Sequence, residues 1–318
     1  ASGPNLACGR CAKMLLAARA LPWISLGCAV HVAQLPRRRV FGPEHRSCSG
    51  VQLRRSREGP SRDAIVGGSV VATGDAYPFL AWIGDDDRTR LGLFCSGTLI
   101  SDRIVLTAAH CLYTTEALNG QVYVRFRLAN FEKEWGTARR IVNWRRHESY
   151  DDVTMANDIA LFLLNESVPS EVAVPVQLSD GTAPFEKSGD KTVMGWGSTT
   201  VECGDYSKDL REATIPMGEY AADCRTPGSN LLRSTQQFNV KQQLCAGIYR
   251  WPRFQFAGCG DSGGPLLAND SHAWTQVGLL SWRYDVPYPS VYTRVSAYRE
   301  WISSASASLI AAGVNPLA

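Results

Sequence analysis

From Ile65 onward, short apolar or alternating runs recur along the chain, separated by Gly, Asp and Asn. Phe79–Ile83, Thr98–Ile100, Ile104–Leu106, Val122–Phe126, Ile159–Leu164, Thr192–Met194, Val277–Leu280 and Val291–Thr293 are runs of this kind. Brief runs bounded by turn residues predict strands and not helices. Many short strands without an alternating helical pattern predict an all-β barrel or sandwich. One helix is predicted near the end, over Ser296–Ile310, where apolar residues fall at helical spacing. A polar connection containing Pro and Gly, Gln177–Lys191, divides the body into two halves.

The first 64 residues have a different texture. Met14–Arg19 has the make-up of a basic n-region, and Ala20–Val30 is mostly apolar. That stretch is too short to span a bilayer, which needs about 20 apolar residues; it fits a signal h-region, with Ala29 or Ala33 ending a cleavage site. Residues 34–64 are rich in Arg, Pro and Ser, as protease-sensitive linkers are. The expected division is a signal peptide with upstream residues over 1–33, a basic pro-segment over 34–64 and a body over 65–318.

Charge follows the same division. Residues 1–64 hold 11 Lys and Arg against 3 Asp and Glu, whereas the remainder holds 22 against 27. The body has no basic stripe, which argues against nucleic-acid binding. Ten cysteines favour an oxidising compartment. The single CxxC, Cys8–Cys11, lacks the second pair that a zinc site would use. Two sequons, Asn165-Glu-Ser and Asn269-Asp-Ser, are compatible with a secreted glycoprotein.

Three local patterns carry chemistry: Leu106-Thr-Ala-Ala-His110-Cys111, Asn157-Asp158-Ile-Ala-Leu161 and Gly260-Asp-Ser262-Gly-Gly-Pro265. Serine attacks a peptide carbonyl only when a base removes its proton. A carboxylate fixes the tautomer of that base and stabilises its charged form. Backbone donors must then meet the developing oxyanion, and glycine lets them approach closely. His110, Asp158 and Ser262, with the Gly260 and Ser262 amides, supply every part. Gly-x-Ser-x-Gly also occurs at the nucleophile of α/β-hydrolases, but there the serine comes first and the histidine last. Here the order is His, Asp, Ser.

Together with Ile65-Val-Gly-Gly68, Cys95-Ser-Gly-Thr98, Gly195-Trp-Gly197, Leu244-Cys-Ala-Gly247, Ser281-Trp282 and Val291-Tyr-Thr-Arg-Val295, these patterns make the chain resemble the chymotrypsin–trypsin family of serine peptidases over Ile65 to about Ser304. The resemblance implies two six-stranded antiparallel β-barrels with the active site between them and a C-terminal helix. The barrels would cover about 65–178 and 179–295, and the helix about 296–310. It implies a secreted zymogen acting through an acyl-enzyme on polypeptide substrates, as a monomer without metal or cofactor. An activating protease and protein inhibitors would be its partners. It also implies disulfides Cys95–Cys111 and Cys224–Cys245. The family partner of Cys259 would follow Trp282, where no cysteine stands; either Cys259 pairs with Cys203, whose loop should border the same cleft, or one or both stay unpaired.

Activation in the family frees an N-terminal amine that pairs with the Asp before the nucleophile, here Ile65 and Asp261. Residue 64 is Ala, not Arg or Lys, so either an alanine-accepting activator cuts at Ala64–Ile65, or a cut after Arg62 precedes loss of Asp63-Ala64. The specificity pocket would be formed by Phe256, Ala257, Ser281, Trp282, Arg283 and Ser290. Counting back from Ser262 puts Phe256 at its floor, whereas counting from Cys259 puts Ala257 there and implies a one-residue deletion before Gly260. Neither residue is acidic, which argues against a preference for Arg or Lys. Arg283 and Ser290 replace common glycines and favour small apolar substrate residues, unless Arg283 meets an acidic one or extends into solvent. Ser281–Arg283 would pair with substrate as an added strand. The alternative is a catalytically weak binding protein on the same scaffold.

Overall fold

A computed structural model of the chain describes residues 65–85, 95–112, 121–200, 203, 206–218, 224, 238–250, 253–269, 273–283 and 289–314. The expected signal and pro-segments lie outside the described residues.

The first barrel consists of Leu80–Gly84, Cys95–Leu99, Ile104–Thr107, Tyr123–Phe126, Thr137–Arg146 and Ala160–Leu164, closed by antiparallel pairing of Leu80–Gly84 with Tyr123–Phe126. The second consists of Gly189–Gly195, Arg211–Met217, Gln243–Ala246, Pro265–Asn269, Trp274–Arg283 and Ser290–Arg294. It closes through the pairing of Gly189–Gly195 with both Arg211–Met217 and Pro265–Asn269. Two closed six-stranded antiparallel barrels are thus the architecture of the chain. Closure gives each barrel strand a neighbour on both sides, which removes the aggregation-prone edges of an open sheet.

The barrel interiors explain the apolar runs. Ile104, Val105, Leu106, Ile159, Leu161, Phe162, Leu163 and Leu164 are completely buried, as both faces of these strands are covered. Four barrel strands stand outside the runs quoted above: Thr137–Arg146, Arg211–Met217, Gln243–Ala246 and Pro265–Asn269. Thr137–Arg146 buries only Ile141 and Val142; Arg140, Arg145 and Arg146 face outward, and Arg139 is half-buried. Arg211–Met217 carries Pro216, which cannot donate to a ladder; its carbonyl instead accepts the Gly247 amide at 3.0 Å.

The C-terminal helix runs Arg299–Ala312, three residues later than expected, because Val295–Tyr298 forms a tighter 3-10 turn first. Ile302, Ala305 and Leu309 lie on one face and are buried. Gly313, at φ 65, ends the helix and returns its amide to the Leu309 carbonyl at 3.0 Å. Among the described residues, no helix is long and apolar enough to cross a membrane.

Candidate active site

His110 lies in a short 3-10 turn, Ala109–Cys111, at the end of strand Ile104–Thr107. The Cys95–Cys111 disulfide ties that turn to the preceding strand, Cys95–Leu99, with 6.1 Å between Cα atoms. The His110 Nδ1 is 2.8 Å from Asp158 Oδ2, and the His110 backbone N–H donates to Asp158 Oδ1 at 2.9 Å. A carboxylate oxygen only accepts, so Nδ1 carries the proton and Nε2 presents a lone pair. The His110 side chain is 21% exposed whereas Asp158 is fully buried; the ring thus offers its outer edge to solvent and its inner edge to the acid.

Asp158 belongs to the first barrel by sequence, but the second barrel holds it. The Ser281 hydroxyl donates to Asp158 Oδ2, and the Thr293 hydroxyl donates to the Asp158 carbonyl at 2.8 Å. Asn157 turns the chain into this position at φ 55, a conformation that Asn tolerates better than most residues. Its side chain donates to the Ser149 carbonyl at 2.8 Å and accepts from the Tyr298 hydroxyl at 3.0 Å. Burial, then the charge of Asp158, push the Tyr298 hydroxyl pKa upward, keeping it a neutral donor.

Ser262 is fixed by its neighbours. Its carbonyl accepts the Ser96 amide at 2.8 Å, and the Gly263 amide donates to the Leu280 carbonyl at 2.9 Å. Gly263 is at φ 74, and a Cβ there would lie 2.3 Å from Thr107 Oγ1 and 2.4 Å from the Ser96 carbonyl. Only glycine fits this approach. The Ser262 turn is therefore wedged between the two barrels, beside the strand that leads to His110. Replacing Gly263 by alanine should lower stability by about 2 kcal/mol through overpacking and strain, measured by urea unfolding. Neither the Gly260 nor the Ser262 amide has a hydrogen-bond acceptor among the described residues. Two unspent donors two residues apart are what an oxyanion requires.

Asp261 is buried, and its carboxyl accepts the Gly197 amide at 2.8 Å and the Gly258 amide at 3.0 Å. A Cβ on Gly195 or Gly197 would collide with that carboxyl, at 2.2 and 2.5 Å respectively, which accounts for the glycines around Trp196. Burial raises the Asp261 pKa to about 7, against the pull of the two amides. Ile65 is also fully buried, among Val193, Ile215, Leu266 and Tyr292. Val66 pairs with Phe256, and Gln255 Nε2 donates to the Gly67 carbonyl at 3.3 Å.

The candidate pocket residues come together around a crosslink that is one of the two readings of the sequence. Cys203 and Cys259 form a disulfide with Cα atoms 5.5 Å apart, and Cys224 and Cys245 form another with Cα atoms 6.1 Å apart. Arg283 does not simply extend into solvent. Its guanidinium lies 5.7 Å from the centre of the Phe256 ring, with Nη2 3.1 Å from Cys203 Sγ. The Ser290 hydroxyl donates to the Ala257 carbonyl at 2.7 Å. Trp282 is buried against Met155, Cys224, Cys245 and Val291. Phe256 and Ala257, the two residues the counts place at the pocket floor, are both buried.

Sequence reasoning missed the Ser281 hydroxyl on Asp158, the Thr293 hydroxyl and the donors from Gly197 and Gly258. Only the Asn157-Asp158 pair carried a local signal, the tolerance of Asn for left-handed backbone.

Comparison with known proteins gives the same frame. The Trypsin family model matches residues 65–302. Trypsin 5G1 of Aedes aegypti is 32% identical over 251 residues, covering 77% of this chain and 86% of that protein. A trypsin of Phaedon cochleariae is 34% identical over 236 residues, covering 67% of this chain and 79% of that protein. Coagulation factor XII of Bos taurus is 34% identical over 263 residues, covering 78% of this chain but 40% of its own length. The chain belongs to the trypsin family and is a serine endopeptidase.

Proposed function

We propose that the protein is a secreted zymogen whose mature form hydrolyses peptide bonds through a Ser262–His110–Asp158 triad and an acyl-enzyme. The observation that carries this reading is the His110–Asp158 pair, at 2.8 Å, which orients Nε2 as a base. His110 takes the Ser262 proton as Oγ attacks the carbonyl carbon, and the Gly260 and Ser262 amides receive the oxyanion. The proton then passes to the leaving amine, and water repeats the cycle on the ester. Cleavage at Ala64–Ile65 frees the Ile65 amine to pair with Asp261. Three disulfides in the body support an oxidising, extracellular location. A fluorophosphonate probe tests the triad: it should label Ser262 in the cleaved protein and fail to label Ser262→Ala. Absence of labelling in the cleaved protein would leave the scaffold as a binding module.

We further propose that the protein prefers a small apolar residue before the scissile bond. In this reading Phe256 is the pocket floor, and its support is that the ring is buried with the Arg283 guanidinium 5.7 Å from its centre. Ser281–Arg283 would pair with substrate as an added strand. A fluorogenic peptide panel should show fastest cleavage after Ala or Val. Arg283→Gly should raise kcat/KM for Leu or Phe substrates about tenfold, the scale of a few methylenes admitted to an apolar pocket. Fast cleavage after Asp or Glu would instead assign Arg283 to anion recognition, and fast cleavage after Arg or Lys would overturn the pocket reading.

A further inference from the structure

We infer that the Cys203–Cys259 disulfide, together with Ser198, positions the Gly260 amide for catalysis, so that an external dithiol can turn the enzyme down by opening one bond. The inference rests on the proposed role of Gly260 as an oxyanion donor.

The Gly260 N–H belongs to the peptide between Cys259 and Gly260. That unit is planar and trans, so its N–H points opposite to the Cys259 carbonyl. Whatever holds the carbonyl also aims the amide. The Ser198 amide donates to the Cys259 carbonyl at 2.7 Å. The same segment touches this peptide twice more: Cys203 is bonded to the Cys259 side chain, and a Cβ on Gly260 would lie 2.8 Å from the Tyr206 ring. Gly260 itself sits at φ 88; a flip of the preceding peptide would reverse the sign of φ, and glycine adopts both signs freely. The backbone at this point has little orientation of its own, so the Ser198–Tyr206 segment supplies it. That segment is closed by the Ser198–Tyr206 bridge and by the Ser207 amide on the Gly197 carbonyl at 3.0 Å. Within it Cys203 is held at φ 62, a left-handed value that costs a non-glycine residue energy. Without the sulfur bond, nothing covalent holds Cys203 in that conformation.

Accessibility sets this disulfide apart. Cys203 and Cys259 are both partly exposed, whereas Cys95, Cys111, Cys224 and Cys245 are buried. A dithiol would meet the Cys203–Cys259 bond first. One of its thiolates attacks a protein sulfur, forming a mixed disulfide and expelling the other cysteine as a thiolate. Its second thiol then closes the reagent into a cyclic disulfide and releases the first cysteine. The two protons of the dithiol end on Cys203 and Cys259; the protein gains two electrons and the reagent loses two.

The experiment uses the cleaved enzyme with the double substitution Cys203→Ser, Cys259→Ser, and in parallel the native enzyme treated with mild dithiol and iodoacetamide, with the alkylated residues read by peptide mass. The expected result is a fall in kcat of about tenfold, less than complete loss of a donor would give, with KM within about twofold. A peptide aldehyde, whose hemiacetal oxygen needs the same amides, should lose affinity by the factor that kcat loses. A product peptide, which forms no oxyanion, should keep its affinity. A merely structural role would weaken aldehyde and product together. If the double variant does not fold, the alkylated native enzyme gives the same readouts. Retention of full kcat with both cysteines alkylated, or parallel loss of aldehyde and product binding, would overturn the inference. Failure of the unmodified enzyme to hydrolyse any peptide would instead remove the proposed function.

Discussion

Asp158→Asn should lower kcat about 10⁴-fold with little change in KM, the loss expected when a triad carboxylate becomes an amide. The reason lies in the donors that meet this side chain. The His110 amide faces one oxygen, while His110 Nδ1 and the Ser281 hydroxyl face the other. Asparagine has a single acceptor oxygen. If the oxygen stays toward the His110 amide, the NH2 faces Nδ1, which must then accept, and the ring proton moves to Nε2. The ring then has no lone pair for Ser262. If the side chain flips, two donors oppose each other at the buried His110 amide. Steady-state kinetics on a fluorogenic peptide measures the loss, and urea unfolding shows whether the variant remains folded. A fall below tenfold in a folded variant would remove Asp158 from the mechanism.

The uncut chain should lose stability as pH rises from about 4 to about 7, and the chain cut at Ala64–Ile65 should not. Asp261 is the cause. Its pKa is raised by burial to about 7 in the folded uncut chain, whereas in the unfolded chain it ionises near the ordinary carboxyl value of about 4. Between those values the folded state holds a proton that the unfolded state has released, so stability falls with rising pH. The shift is about 3 units, an upper figure on the order of 4 kcal/mol once Asp261 is ionised in both states. A new ammonium at Ile65 supplies the missing counter-charge and reverses the trend. Urea titrations of Ser262→Ala protein, cut and uncut, at about pH 5 and about pH 8 provide the comparison. Apart from the Ile65 amine that the cut creates, the titrating groups of the body are common to both forms, so the difference reports the Ile65–Asp261 pair. Parallel pH profiles would sever Ile65 from Asp261.

The strands of the first barrel were legible because they are buried on both faces: Ile104–Leu106 and Ile159–Leu164 read as uninterrupted apolar runs. Thr137–Arg146 was less so, since its outward residues are arginines and its inward ones few. The helix was placed three residues early because 3-10 and α turns share apolar spacing over so short a stretch. His110, Asp158 and Ser262 were legible because each sits in a run whose neighbours must also be special: Cys111 for the staple, Asn157 for the left-handed turn, Gly263 for the close approach. Ser281 and Thr293 were illegible in that role because their partner, Asp158, lies more than a hundred residues away. Nothing local distinguishes a serine that reaches a distant acid from one that meets water. The use of Arg283 was hidden likewise, since its neighbours Cys203 and Phe256 come from separate loops.

The wedge of Gly263 between Ser96, Thr107 and Leu280, with Asp158 held by Ser281 and Thr293, sets a timetable for the nascent polypeptide. In the proposed triad the attacking group and its base sit on different barrels, so hydrolysis would require both to be folded and docked, which would spare a partly folded chain from digestion by its own kind.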